Sequence, residues 1–248
     1  YTGYAAFVIK GKEEITRDTI KKTRRKKKPI CENNSLIVKN LYTGGSDTIR
    51  YIKDYVMADK EPFILYSVCR GDSVASYDVY IKNLKTNEST LVSENRPEVT
   101  NLSLDQKGQH WAFLTTDQKL EKSQKPYKLY AGNQNEPNAL NISEKFVLPG
   151  NHIISSNQKL NWTESGKRLF LGISRISPEK DTTKLDDEIV NVEIWHHDSP
   201  RLYTQMEVTM ESDRKKTYAV MYDVETGEFH QIEDMDYDRS VQSLKGDG

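Results

Sequence analysis

Two short sequence units recur along this chain in a fixed order, and this repetition constrains the fold more than any other feature. The first unit is an apolar strand, a polar turn and a second apolar strand. It occurs at residues 55–66, 102–114 and 160–171, with a fragment at 3–9. The turns of the last two full copies contain Gly108 and Gly166, and glycine favours tight hairpins because it readily adopts positive φ. Each full copy therefore predicts a β-hairpin.

The second unit is a strand that ends in a polar turn, typically of the form Asn/Asp-x-x-Thr-Gly. It occurs at residues 36–45, 79–88, 127–133 and 218–228, of which the third copy is degenerate. A hairpin followed by such a strand and turn, at a pitch of roughly 40–50 residues, is typical of a β-propeller blade. An ordinary antiparallel sandwich with fortuitous similarity is the alternative. The propeller is favoured because two different units recur in the same order.

The repeats therefore predict an all-β chain, with residues 1–248 forming a single β-propeller region of about four blades. The blades are expected near residues 1–48, 49–97, 98–150 and 151–236. The last span is too long for a plain blade and contains an insertion at 174–217, where Leu202, Met206 and Met210 have helical spacing. Propellers usually have roughly four to eight blades. Four blades could close a small ring, or they could be part of a larger ring.

The composition narrows the classes of protein further. Hydrophobic residues make up only 35% of the chain, but 14 Tyr and three Trp argue against disorder. The longest strongly apolar run, residues 5–9, is far shorter than the ~20 residues of a membrane-spanning helix, so no span is expected. A net charge of −1 argues against a globally basic nucleic-acid binder. Cys31 and Cys69 could form one bridge, and whether they pair is left open.

A basic cluster lies near the start of the chain. Ten Lys and Arg residues and three acids lie between Lys10 and Lys28, with the acids early and the cations late. This order suits the helix dipole and predicts a basic helical insertion in the first blade, which Pro29 ends. The cations could bind a polyanion or coat a solvated insertion, but no aromatic residues interleave for base stacking, so nucleic acid is disfavoured. The candidate basic patch is Arg24, Arg25, Lys26, Lys27 and Lys28.

Three passages carry a family resemblance. They are residues 16–28 followed by 34–36, residues 160–163 with 166–169, and residues 193–198. Together they resemble the N-terminal β-propeller region of prolyl oligopeptidase-family serine peptidases, especially the dipeptidyl-peptidase-like members of Bacteroidetes. The third passage resembles the family's Trp-His-x-x-Asp-type strand, although Asp198 stands one residue earlier than that pattern requires.

The resemblance implies a longer enzyme in which the propeller covers the catalytic pocket of an α/β-hydrolase domain and restricts entry to short peptides. A nucleophile elbow requires Gly-x-Ser-x-Gly, and the 248 residues contain no such pentad. The chain is therefore expected to be a non-catalytic segment without catalytic residues or a cofactor. Its expected partners are the hydrolase domain of the same longer chain and peptide substrates. The resemblance also implies a periplasmic or secreted location.

The alternative function is a free-standing TolB-like propeller that binds a protein or peptide partner on its ring face. A polar strand patch is the other candidate site, formed by Trp195, His196, His197 and Asp198. Neighbouring residues on a strand point to opposite faces, so His196 and Asp198 would share one face. Two ligands do not complete a metal site, so we predict a polar edge on a packed strand and no metal.

Overall fold

The computed structural model describes residues 2–11, 30–71, 74–117, 125–176, 203–237 and 240. Within these residues, sixteen strands form four antiparallel sheets that follow one another along the chain. The first sheet has three strands, which pair in sequence order. They are β1 (Tyr4–Ile9), β2 (Ser35–Asn40) and β3 (Ser46–Arg50).

The second and third sheets have four strands each, and consecutive strands pair throughout. The second sheet contains β4 (Ile52–Met57), β5 (Phe63–Arg70), β6 (Ser76–Asn83) and β7 (Ser89–Arg96). The third sheet contains β8 (Val99–Leu104), β9 (His110–Thr115), β10 (Lys128–Asn133) and β11 (Leu140–Asn141). A short 3-10 helix at Ser143–Lys145 follows β11. Both sheets are therefore simple meanders, as the alternation of the two sequence units predicts.

The fourth sheet has an interrupted first strand. Two short strands, β12 (His152–Ser155) and β13 (Asn161–Trp162), both pair with β14 (Arg168–Arg175). The sheet continues through β15 (Tyr218–Asp223) to β16 (Phe229–Gln231). The third hairpin copy therefore begins with a strand of two residues, shorter than the repeat suggested. Helix α1 (Tyr203–Arg214) lies in the connection between β14 and β15.

The same side-chain hydrogen bonds shape one turn in all four sheets. An Asn or Asp ends the next-to-last strand of each sheet, and its Oδ1 atom accepts hydrogen bonds from the backbone N–H groups two and three residues later, at 2.9–3.4 Å. The four residues are Asn40, Asn83, Asn133 and Asp223. Such turns are local to the side chain that makes them. The sequence repeat therefore reports a repeated backbone turn, even in its degenerate third copy.

The apolar core lies between neighbouring sheets. Alternate residues of β5 face opposite sides, so Ile64 and Tyr66 pack towards the first sheet while Leu65 packs towards the third. A further cluster joins the third and fourth sheets, around Leu129 and Leu171. Burial on both faces explains why β5 is almost continuously apolar, since neither face meets water. The four sheets thus stack face to face in sequence order.

The first sheet leaves the apolar side chains at the end of β1, residues 7–9, exposed. The backbone N–H of Leu41 donates to the carbonyl of Gly3, just before β1, and the N–H of Leu84 donates in the same way to the carbonyl of Pro62, just before β5. Strand β1 therefore occupies the place in its sheet that β5 occupies in the next. Residues 7–9 of β1 are 41–51% exposed, whereas the equivalent residues 66–68 of β5 are at most 6% exposed. Within the described residues, β1 pairs only with β2. As far as the described residues go, β1 therefore presents an exposed apolar surface and an edge without a partner strand.

A disulfide joins the first two sheets. Cys31 lies just before β2 and Cys69 lies near the end of β5, with their Cα atoms 5.5 Å apart. The pairing that the sequence left open is therefore present. In the part of the chain that the structure describes, no helix is long and apolar enough to cross a membrane. The number of sheets agrees with about four blades, while the blade boundaries and the single-region span of residues 1–248 stay predictions.

Candidate functional site

The two patches that the sequence singled out lie outside the described residues. The basic patch is Arg24, Arg25, Lys26, Lys27 and Lys28, and the strand patch is Trp195, His196, His197 and Asp198. Both stay predictions, as does the helical character of the basic insertion. Across the described ranges, no group of three or more His, Cys, Asp or Glu side chains is placed to hold a metal ion.

The connections that follow β1, β5, β9 and β14 all leave the sheets at one edge. They span residues 10–34, 71–75, 116–127 and 176–217. The connections at the opposite edge are mostly short turns, such as residues 41–45 and 105–109. We call these the loop edge and the turn edge. Connections carried on a rigid sheet are the usual location of binding residues, so the loop edge is the candidate functional surface.

Contacts between sheets bring their loop edges together. The Cys31–Cys69 disulfide joins the first sheet to the second. The backbone N–H of Tyr127 donates to the carbonyl of Ile154 at 3.2 Å and joins the third sheet to the fourth. Polar side chains make the remaining link, between the second and third sheets. The loop edges therefore form one continuous surface across the described part of the chain.

Arg70 ends β5 at this surface and is held by two neighbours on β6. Its Nε atom lies 3.3 Å from Oδ2 of Asp78, and its Nη2 atom donates to the hydroxyl of Tyr80 at 3.4 Å. The hydrogen bond with Tyr80 is the main reason that the pKa of Arg70 is raised. The side chain of Arg70 is 57% exposed, so it presents a fixed positive charge to solvent.

Arg96 links the second and third sheets. It ends β7, where its Nε atom donates to Oγ of Ser93 at 2.7 Å and its Nη1 atom donates to the hydroxyl of Tyr130 at 3.1 Å. Its guanidinium carbon also lies 4.3 Å from the centroid of the Tyr130 ring. Arg combines planar hydrogen bonding with stacking on an aromatic face in a way that Lys cannot. Arg96 is therefore oriented by both sheets.

Glu98, just before β8, forms a second polar cluster at this edge, within the third sheet. Its carboxylate accepts hydrogen bonds from Nζ of Lys125 at 2.8 Å and from the hydroxyl of Tyr127 at 3.0 Å. Burial raises the pKa of Tyr127 further above neutral pH, where its hydroxyl is protonated in any case and donates to Glu98. Charged and aromatic side chains thus lie next to one another along the loop edge.

A histidine–carboxylate pair is present elsewhere in the molecule. Nδ1 of His110 lies 3.2 Å from Oδ2 of Asp105, whose side chain is almost completely buried. The pair lies at the turn edge, where the backbone N–H of Gln109 also donates to Asp105 at 2.7 Å. Such a pair supports acyl transfer only beside an activated nucleophile, and the chain has no nucleophile-elbow pentad. We therefore infer that the pair stabilises the turn between β8 and β9.

Sequence reasoning missed Arg96, Glu98 and Tyr130. The sequence did offer one signal, the charged pair Arg96 and Glu98 between two strand segments, because charged residues in such a position indicate the end of a strand. Their partners lie 27–34 residues away in sequence. No local period connects residues at that separation, so the link between them appears only in the folded chain.

Neither a protein-family model nor a curated protein sequence matches the chain. Among solved structures, an acylaminoacyl peptidase matches with a TM-score of 0.53 at 8% identity, over 94% of this chain and 31% of that chain. The β-propeller domain of the Trilobed protease from Pyrococcus furiosus matches with a TM-score of 0.49 at 10% identity, over 93% and 54%. TolB from Acinetobacter baumannii matches with a TM-score of 0.40 at 10% identity, over 83% and 39%.

The match to the acylaminoacyl peptidase, with a TM-score above 0.5, supports the fold. The matched structures include β-propeller domains of prolyl oligopeptidase-family peptidases, which is the architecture expected from the repeats and from the family resemblance. The chain spans about half of the Trilobed protease propeller-domain chain and about a third of the acylaminoacyl peptidase chain. The four stacked sheets, the repeated turns and this similarity together identify the chain as an all-β propeller module that resembles the propeller domains of these peptidases.

Proposed function

We propose that this chain is the non-catalytic propeller region of a prolyl oligopeptidase-like serine peptidase. In this proposal the propeller scaffolds an α/β-hydrolase domain of the same longer polypeptide and restricts access to the catalytic pocket to short peptides. The chain itself contributes no nucleophile, because it lacks a Gly-x-Ser-x-Gly pentad. The hydrolysed substrates would be peptides, and no cofactor is required.

The observation that carries the proposal is the uncovered surface of β1. Residues 7–9 expose apolar side chains at positions that β5 buries between sheets. Exposed apolar surface of this kind marks a site of contact with more protein. The unpaired edge of β1 also offers backbone groups to a further strand. Both features support a propeller that is covered by other parts of a longer chain.

The Cys31–Cys69 disulfide supports an exported location for the proposed peptidase. Structural disulfides persist in oxidising compartments and are rare where cellular thiols stay reduced. A periplasmic or secreted peptidase would keep this bond intact. The location is tested by fractionating cells and measuring whether the native protein is oxidised at both cysteines.

The first experiment reads the gene on both sides of the segment that encodes these 248 residues and assays the full-length product. We expect a downstream Gly-x-Ser-x-Gly motif followed by Asp and His, and serine-dependent hydrolysis of Xaa-Pro or Xaa-Ala dipeptide reporters. The isolated 248-residue chain should not hydrolyse these reporters. Serine-dependent turnover by the pure isolated chain would contradict the proposal.

A second experiment tests gating in the full-length enzyme. Replacing Cys31 and Cys69 by Ser removes the covalent link between the first and second sheets at the loop edge. We expect the ratio of kcat/KM for a long unfolded polypeptide to kcat/KM for a dipeptide reporter to rise in this variant. Oxidised and reduced wild-type enzyme provide the matched comparison. An unchanged ratio would argue against gating, even if the enzyme is a peptidase.

A gene that ends at Gly248 would favour the alternative, a free-standing TolB-like propeller that binds a protein or peptide. In that case the loop edge is the surface to test. Retention of a defined partner by the wild-type chain, lost on replacing Arg96 by Ala, would support a binding module. No catalytic partner domain would then be needed.

A further inference from the structure

Two arginines at the loop edge each bond the hydroxyl of a tyrosine, and only one of them has a carboxylate partner. Arg70 donates to Tyr80, and the carboxylate of Asp78 lies beside both. Arg96 donates in the same way to Tyr130. In the part of the chain that the structure describes, no acidic side chain forms an ion pair with Arg96, whose polar side-chain partners there are two hydroxyl groups.

The first pair shows how a carboxylate completes such an arrangement. Oδ2 of Asp78 lies 3.3 Å from Nε of Arg70 and 3.5 Å from the hydroxyl of Tyr80. The negative charge therefore lies between a guanidinium N–H and a phenolic O–H. Hydrogen bonds between a guanidinium and a carboxylate are among the stronger ones in proteins, because both groups are charged. Arg96 and Tyr130 supply the same two kinds of donor.

A β-bulge turns Arg96 towards the same side of the second sheet as Ser93. Ser93 pairs with Val79 and Arg96 pairs with Tyr77, so three steps along β7 match two steps along β6. Asn95, inside the bulge, has a positive φ of 52°. In a regular strand, side chains three residues apart face opposite sides, and a bulge redirects one of them. The bulge therefore places the guanidinium beside Oγ of Ser93, on the side of the third sheet.

The polar atoms that this group leaves open are donors. We call Ser93, Arg96 and Tyr130 the Arg96 cluster. Nη2 of Arg96 has no hydrogen-bond partner among the described residues and is not one of their fully buried polar atoms, so it is accessible to solvent. The Tyr130 hydroxyl accepts from Arg96, and its own hydrogen has no acceptor in the described ranges. A guanidinium has no acceptor atom, so these open donors surround a fixed positive charge.

Two acidic side chains close to Arg96 in the sequence are not its partners. Glu98 instead accepts hydrogen bonds from Lys125 and Tyr127. Glu94 is exposed, and neither acid forms an ion pair with Arg96. The side chain of Arg96 is partly buried, and interactions of partly buried charges are screened less by salt than those of exposed charges. The Arg96 cluster is therefore suited to an anion that comes from outside the described residues.

We propose that the Arg96 cluster binds a carboxylate group of a peptide. The carboxylate accepts hydrogen bonds from Nη2 of Arg96 and from the hydroxyl of Tyr130, as Asp78 does between Arg70 and Tyr80. The guanidinium carbon of Arg96 lies 4.3 Å from the centroid of the Tyr130 ring, and this stacking holds the donors in place before the ligand arrives. The inference rests on the proposed function in one respect, that the loop edge meets peptides.

Three blocked tripeptides are the probes, because a peptide carboxylate can be its C-terminus or an acidic side chain. N-acetyl-Ala-Ala-Ala has only the terminal carboxylate, N-acetyl-Ala-Glu-Ala-amide has only the side-chain carboxylate, and N-acetyl-Ala-Ala-Ala-amide has neither. NMR of the 15N-labelled chain is the measurement, and the Nε–H signal of Arg96 is the one that disappears in Arg96→Lys. We expect a saturable shift of this signal at millimolar concentrations of a carboxylate peptide and none with the third probe. The tighter-binding peptide identifies the source of the carboxylate.

Conservative variants test the role of each donor, with binding followed at the backbone amide signals that shift in the wild type. Arg96→Lys should weaken binding roughly five- to tenfold, because Lys keeps the charge but lacks the planar set of donors. Tyr130→Phe keeps the ring beneath Arg96 and should weaken binding roughly two- to fivefold. Arg168→Lys is the matched control, because Arg168 lies at the turn edge, 3.8 Å from the carboxylate of Asp223. Circular dichroism checks that each variant is folded.

Four results would overturn the proposal. The first is the absence of a saturable shift with both carboxylate peptides, and the second is an equal shift with the uncharged peptide. The third is equal weakening in Arg96→Lys and Arg168→Lys, which would indicate a general effect of surface charge. The fourth is displacement of the peptide by an equal concentration of inorganic phosphate, which would indicate a site for anions in general.

These measurements use the 248-residue chain without a hydrolase domain, so their outcome is separate from that of the peptidase assay. A full-length enzyme that hydrolyses the dipeptide reporters while the Arg96 signal does not shift would refute this inference alone. Carboxylate binding by a chain whose gene encodes no hydrolase domain would refute only the proposed peptidase function.

Discussion

Removing the disulfide tests how the first sheet is held to the rest of the molecule. Cys31 and Cys69 are 38 residues apart in the sequence. In the chain-entropy description, a cross-link over that separation removes about 13 cal/mol/K of entropy from the unfolded chain, or about 4 kcal/mol at 25 °C. The double variant Cys31→Ser, Cys69→Ser should lose about that much free energy of unfolding. For a domain of this size, we expect Tm to fall by about 8–16 °C.

Urea unfolding followed by Trp fluorescence and circular dichroism measures this loss. Oxidised wild type, reduced wild type and the double variant are compared under the same conditions. The reduced wild type should unfold with the double variant, and Cys31→Ser alone should lose nearly as much as both changes together because either one breaks the bond. A loss of unfolding free energy below about 1 kcal/mol would refute the reasoning, because the bond would then not constrain the unfolded chain as the chain-entropy description requires.

Two substitutions test contacts between neighbouring sheets. Asp47→Asn leaves the buried ammonium of Lys82 without its charged partner and should cost about 1–3 kcal/mol of unfolding free energy, less than for a fully buried pair because the Asp47 side chain is 43% exposed. The hydrogen bond from Lys82 holds the pKa of Asp47 below its ordinary value. The difference from wild type in urea unfolding should therefore be present at neutral pH and shrink as the pH falls below about 4; a constant difference would contradict this. Gly166→Ala should cost more than its control Gly227→Ala, by about 1–3 kcal/mol, because both glycines have φ near +70° but only the Cβ at 166 meets Oδ2 of Asp105, at 2.6 Å. Equal urea midpoints for the two alanine variants would show that the neighbouring turn yields without cost.

Much of the fold could be predicted because its repeat depends on local chemistry. An Asn or Asp that accepts hydrogen bonds from two nearby backbone N–H groups makes the same turn wherever it occurs. Asn40 and Asp223 therefore mark equivalent positions that the sequence alone predicts. The apolar spacing around Met206 and Met210 likewise predicted a helix, and α1 is present. Both methionines are nevertheless 37–47% exposed, because spacing predicts a face and not what covers it.

The candidate surfaces were harder to predict because they depend on distant residues. Arg96 and Tyr130 are 34 residues apart, and their contact exists only because the second and third sheets pack together. The core cluster around Trp111 similarly joins residues of two sheets, such as Ile81 on β6 and Trp111 on β9. No spacing along the chain encodes these relations.

The sequence by itself determined the strand content, the repeated turns and the order of four similar sheets, because each depends on residues that are neighbours along the chain. It also established that no nucleophile elbow is present, since that motif is contiguous. Only the tertiary structure decided that Cys31 pairs with Cys69, that residues 7–9 of β1 are exposed and that the Nε1 donor of Trp111 has no partner among the described residues. Burial and pairing depend on which surfaces meet when the sheets stack, and that packing joins residues far apart in the chain.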